Sequence, residues 1–163
     1  MSACLRIRER RGAAALLTLL WLPILLAGAA VILDGGQLLL ARHRLQAAVD
    51  LAALAAVQCL DWDRLAEGEV TIIVDEAEEM ARQYLSDNLI AMTGRGFEEF
   101  RVWVINASPE DPRMHPVTGE GVYHPTVVLR CQLRGPSSWF GAWKEAPVLE
   151  AEADASLRPR GED

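Results

Sequence analysis

A chain of 163 residues that is 51% hydrophobic, with 16 basic and 23 acidic side chains and a net charge of −7, has the length of one ordinary domain; a multidomain enzyme is excluded. Residues 1–12 hold four Arg and one Glu, so the acidic excess falls on the body of the chain, which offers no basic patch for nucleic acid. Three cysteines, Cys4, Cys59 and Cys131, are too few for a disulfide-knit scaffold and enough for one bridge.

No charged residue occurs from Gly12 to Leu33. At about 1.5 Å per helical residue this stretch spans roughly 33 Å, enough for the hydrocarbon core of a bilayer. Arg6, Arg8, Arg10 and Arg11 precede it and Arg42 and Arg44 follow it, so the positive-inside bias predicts a cytoplasmic N-terminus and an extracytoplasmic remainder. Pro23 removes a backbone donor in mid-span and predicts a kink rather than an end. An alternative takes Arg10 and Arg11 as the start of a cleavable signal, with Ala27-Gly28-Ala29 as its cleavage site and a secreted or periplasmic binding domain as the product. Against it, the apolar run continues through Ala30-Val31-Ile32-Leu33 into a further helical pattern.

Beyond Asp34-Gly35-Gly36, apolar residues recur at three- and four-residue spacing (Leu38, Leu45, Ala48, Ala52, Ala55, Ala56), which predicts a bent helical rod from about Ala13 to Cys59. Its small side chains suit close packing by another helix or a sheet. A second helix is predicted over about Val74–Met92, with acids early in it and Gly94 just beyond. Three strands follow: Phe100–Ile105, Thr126–Leu133 and Val148–Leu157, the last alternating Leu149, Ala151, Ala153, Ala155 with Glu150, Glu152, Asp154, Ser156. The 106–121 stretch reads as a long mobile loop. The predicted fold is α+β: a long N-terminal transmembrane helix, then a second helix packed on a three- to four-stranded antiparallel sheet. The predicted organisation is a cytoplasmic tail (1–12), a transmembrane helix (13–33), an extracytoplasmic helix extension (34–60) and an extracytoplasmic α+β domain (61–163).

Catalytic and metal signatures are not in evidence. His43, His115 and His124 are scattered without metal-ligand spacing, and Ser108, Ser137, Ser138 and Ser156 lie outside any GxSxG context. No catalytic residue, metal site, cofactor or small-molecule substrate is expected. The residues singled out are structural. Asp34, at the outer end of the span, calls for an interfacial position or a partner such as Arg42 or another helix. Asp50 is a carboxylate amid Ala, Val and Leu, facing water or an assembly interface. Ala48, Ala52 and Ala55 are candidates for helix packing with a partner, and Cys59 and Cys131 for a disulfide. Trp139, Phe140 and Trp143 are either turn-packed core aromatics or a tip contacting a partner or membrane interface.

Several of these motifs carry a resemblance. Arg11-Gly12, Leu22-Pro23, Leu33-Asp34-Gly35-Gly36 and the run from Leu45-Gln46-Ala47-Ala48 to Asp50-Leu51-Ala52-Ala53 resemble the N-terminal signature of the TadE/TadG-like proteins of bacterial tight-adherence (Tad, Flp) pilus assembly. The C-terminal strand, the WFGAW segment and the strand ending near Ala153-Asp154-Ala155 are also similar to that family. The resemblance implies a pilin-like fold and a single-pass inner-membrane structural component. Its implied partners are the membrane and other pilus-assembly proteins or pilin-like subunits, for pilus assembly, secretion or cell adhesion. Pilin-like members are processed after a glycine followed five residues on by glutamate. Gly12 is the matching processing site here, with Leu17 where that glutamate would stand, which favours an unprocessed anchor.

Overall fold

The structure, a computed structural model, describes residues 2–93, 96–141 and 144–158. Helix α1 runs from Ser2 to Ala56, 55 residues, and passes without interruption through Pro23 and through Gly35-Gly36. At about 1.5 Å per residue it is roughly 80 Å long. Its two halves live in different surroundings. All side chains from Leu16 to Ala29 are exposed. Burial then begins with Ala30, half-buried, and continues through Asp34, Leu38, Ala41, Leu45, Ala48, Val49, Ala52, Ala53 and Ala56. That three- and four-residue rhythm puts one stripe of α1 inside the molecule and leaves the other in contact with solvent or a partner.

The chain turns after Ala56 into α2 (Trp62–Ala66), capped by Asp61, whose carboxylate accepts the Asp63 and Arg64 N–H groups at 3.1 and 3.2 Å. Helix α3 (Val74–Thr93) buries Ala77, Ala81, Leu85 and Leu89 at i, i+4 spacing, lying along α1. The connector between the helices is held from two sides. Ile73 N–H donates to the Cys59 carbonyl at 2.8 Å, and the Asn106 side chain accepts from Ile72 N–H at 2.8 Å while donating to the Ile72 carbonyl at 2.9 Å. One amide thereby does for buried Ile72 what a neighbouring strand would do.

Strands β1 (Glu99–Ile105), β4 (Thr126–Arg134) and β5 (Val148–Ser156) form an antiparallel sheet in the order β1-β4-β5. β4 is central because its Val127, Leu129, Cys131 and Leu133 face the helices while Val128 and Thr126 are also buried on the far side. α1 covers β4 and β5, and α3 covers β1. The alternation expected of the last strand is met: Leu149, Ala151, Ala153 and Ala155 are buried against α1. Small residues on both partners let the helix approach the sheet closely. On the far face Arg101 and Arg130 stand opposite each other, and Glu99 and Glu150 take them as ion pairs. The Arg130 guanidinium holds the Glu150 carboxyl below the usual carboxylate range.

The 106–121 stretch differs from the expected open loop. It folds into a hairpin of β2 (Arg113–Met114) and β3 (Gly121–Val122), closed by His115 N–H to the Glu120 carbonyl at 2.7 Å. His115 Nδ1 also accepts the Thr118 N–H at 3.1 Å, and Gly119 turns the chain at φ 73°. Two-residue strands were invisible to pattern reading because the alternation needs more positions to register.

Candidate functional site

Two features stand out from the packed body: the bare stem of α1 and a junction where the body meets it. Among the described residues one helix, Leu16–Ala56, is long and apolar enough to cross a membrane. Exposed Leu16, Leu19, Leu20, Trp21, Ile24, Leu25, Val31 and Ile32 surround it on all sides. A helix apolar all round, with no chain of its own to cover it, requires another apolar medium or a partner helix.

Asp34 ends that charge-free surface and is only 1% exposed. Its carboxylate accepts the Ser138 hydroxyl, the Trp139 N–H at 3.0 Å and the Phe140 N–H at 3.3 Å. An ionised carboxylate is acceptor-only, and three convergent donors offset the cost of withdrawing it from water. The donors come from the connection between β4 and β5. Its neck is closed by Gly135 N–H to the Pro147 carbonyl at 2.8 Å. A Cβ on Gly135 would lie 2.9 Å from that carbonyl, too close for a side chain, and 3.4 Å from Leu38 Cδ1 on α1, an ordinary contact, so it is the Pro147 main chain that calls for glycine here. Gly141, at φ 78°, turns the chain after Phe140. Trp139 and Phe140 remain 75% and 58% exposed.

The donors that meet Asp34 thus come from the chain's own β4–β5 connection. Ser138, given no role by sequence reasoning, supplies the hydroxyl; a separation of 104 residues hid it. Trp139 and Phe140 are exposed, which excludes them from the core, and Trp143 lies outside the described residues. Gly12 lies within α1. Ala48 and Ala52 are completely buried against the chain's own α3 and sheet, while Ala55 is half-buried at the edge of that stripe. Asp50 faces outward and accepts from Gln46 Nε2 at 2.8 Å; the same amide donates to the Glu152 carbonyl at 2.8 Å, tying α1 to β5. Cys59 and Cys131 are free thiols, so the bridge weighed from sequence is not formed. Burial on the core face of β4 pushes the Cys131 thiol up to about 12. Burial, followed by the nearby Glu76 carboxylate, also raises that of Cys59. Among the described residues no three His, Cys, Asp or Glu side chains come together in a group able to hold a metal ion.

The stem, Asp34 and the buried alanine stripe all fall within one stretch that has counterparts elsewhere. Residues 12–58 match the Tad family model, described as "Putative Flp pilus-assembly TadE/G-like". The match starts at Gly12 and ends as α1 gives way to its terminal turn, so the TadE/G-like segment is the anchor-like stem together with the core half of the helix. It relates that segment of the chain to Flp pilus assembly. No curated protein and no solved structure matches the chain.

Proposed function

We propose that this protein is a single-pass inner-membrane component of Tad/Flp-type pilus assembly or secretion, with a cytoplasmic N-terminus and an extracytoplasmic α+β domain, acting by helix packing with pilin-like subunits or the assembly platform. The observation that carries this reading is the bare stem: a charge-free segment, exposed on every side, continuous with a helix whose other half is the centre of a folded core. The TadE/G-like match over the same residues supports it. Because Ala48 and Ala52 are consumed by the chain's own core, the surface left for a partner is the outer stripe of α1, where Leu40, Ala47, Leu51 and Leu54 are exposed at helical spacing, with Ala55 at its margin. Leu51→Glu and Leu54→Glu should leave the domain folded and abolish co-purification with other pilus components; undiminished co-purification by the double variant would overturn the packing role.

A second reading, a signal-cleaved secreted or periplasmic binding domain, draws on one observation. Among the residues whose burial is described, packing within the chain begins at Ala30, directly after Ala27-Gly28-Ala29, so such a product would keep all of these buried residues. The intact mass of the protein extracted from its native membrane separates the two. A full-length chain supports a permanent anchor, loss of residues 1–12 a processed pilin-like subunit, and loss through Ala29 a released domain.

A further inference from the structure

The segment 135–141 does more than join two strands. Its neck at Gly135 lies beside Leu38, whose Cδ1 would be 3.4 Å from a Cβ added there, and its Ser138, Trp139 and Phe140 donors meet Asp34, four residues nearer the N-terminus of the same helix. Four helical residues are about 6 Å of rise, so the segment descends along α1 from the sheet toward the apolar stem. Asp34 is the first charged residue after the run from Gly12 to Leu33 and therefore marks the level at which a bilayer's hydrocarbon gives way to its polar layer. At that level the main chain and the Ser138 hydroxyl are tied down by one carboxylate, while two large aromatic side chains stay exposed, and in α1 the residues just before that carboxylate, Val31, Ile32 and Leu33, are exposed too.

We infer that this segment is a membrane-contacting prong: Trp139 and Phe140 lodge in the headgroup–acyl boundary of the bilayer crossed by α1 and seat the α+β body directly on that surface. The inference rests on the membrane-anchor reading above and goes beyond it. The occupant is lipid because the exposed aromatic pair is held by its main chain at Asp34, the charged end of the apolar stem, a level where Trp is favoured for its apolar ring and single N–H donor. Asp34 is a positioning residue: by taking the backbone N–H groups it removes polar donors from the loop and fixes the aromatic side chains at the interface.

The test uses the full-length protein in phosphatidylcholine vesicles whose acyl chains are brominated either close to the headgroup or close to the bilayer centre. The fluorescence of Trp139 is obtained as the difference between wild type and Trp139→Phe, a change at an exposed site that leaves the core untouched, and that of Trp21 in the same way from Trp21→Phe. Most of the Trp139 component should be quenched by shallow bromine and little by deep bromine or aqueous iodide. In Asp34→Ala it should become open to iodide. A Trp139 component quenched by iodide and not by bromine, with Trp21 quenched by lipid, would overturn the prong and leave the anchor standing. Protection from both quenchers would overturn it in favour of a protein contact. If Trp21 too escapes every brominated lipid, the anchor reading falls and the prong with it.

Discussion

At the scale of single residues, the polar groups that matter are those spending their hydrogen bonds on distant main chain. Asp34 takes three donors from the β4–β5 connection, Asn106 makes a two-way pairing with Ile72, and Gln46 spans from Asp50 to the Glu152 carbonyl. A carboxylate at the end of a membrane span is costly, so the sequence calls for an interfacial position or a partner for Asp34; the donors it meets come from a loop over one hundred residues away. Cys131 shows the opposite case, a thiol buried on the core face of β4 whose hydrogen bond goes no further than the adjacent Gln132 carbonyl, at 3.9 Å. Burial lifts its thiol from 9.0 to about 12, so between these values the unfolded chain gives up a proton that the folded chain keeps. Stability must therefore fall as pH rises through that window, by up to about 1.4 kcal/mol per pH unit. Denaturation of the full chain in detergent, followed from neutral pH upward, should show a shallower alkaline decline in Cys131→Ala than in wild type; parallel declines would refute the burial account.

At the scale of elements, α1 is one helix with two jobs. Its period was legible because Leu45, Ala48, Ala52 and Ala56 repeat on a 3.6-residue cycle, and that cycle is also what brings them onto α3 and the sheet. What periodicity does not contain is whose surface fills the stripe; the alanines fit a partner helix and the chain's own sheet equally well, and tertiary packing chose the latter. The glycines of α1 are a different matter. A Cβ at Gly35 or Gly36 would meet nothing within 4 Å, so no contact within the chain requires glycine there. Since glycine costs a helix interior roughly 0.5–1 kcal/mol relative to alanine, Gly36→Ala should raise stability by about that amount. Thermal melting in detergent checks this, and a loss of stability would reveal a backbone demand hidden from the structure. The three strands expected from sequence match the observed ones to within a residue at every end, helped in the last by an alternation of burial along Val148–Ser156 that has no exception. The β2–β3 hairpin was not expected, since its closure depends on His115, Glu120 and Gly119 rather than on any apolar pattern.

At the scale of the whole molecule, the described buried residues of the core all lie beyond the stem, from Asp34 onward. Deleting residues 1–29 should therefore give a water-soluble domain that unfolds cooperatively, with a midpoint close to that of the full chain in detergent. An aggregated or unfolded product would show that the stem contributes to folding. The sequence by itself determined the apolar stem, the α+β class, the helix and strand periods and the resemblance that the match over residues 12–58 later supported, because each is a local property of composition and spacing. Only the tertiary structure decided that Asp34 clamps the loop bearing Trp139 and Phe140, that Ala48 and Ala52 are spent inside the chain, and that Cys59 and Cys131 are free thiols. Those outcomes turn on which distant segments meet, and a one-dimensional pattern fixes which face of an element is buried without fixing what buries it.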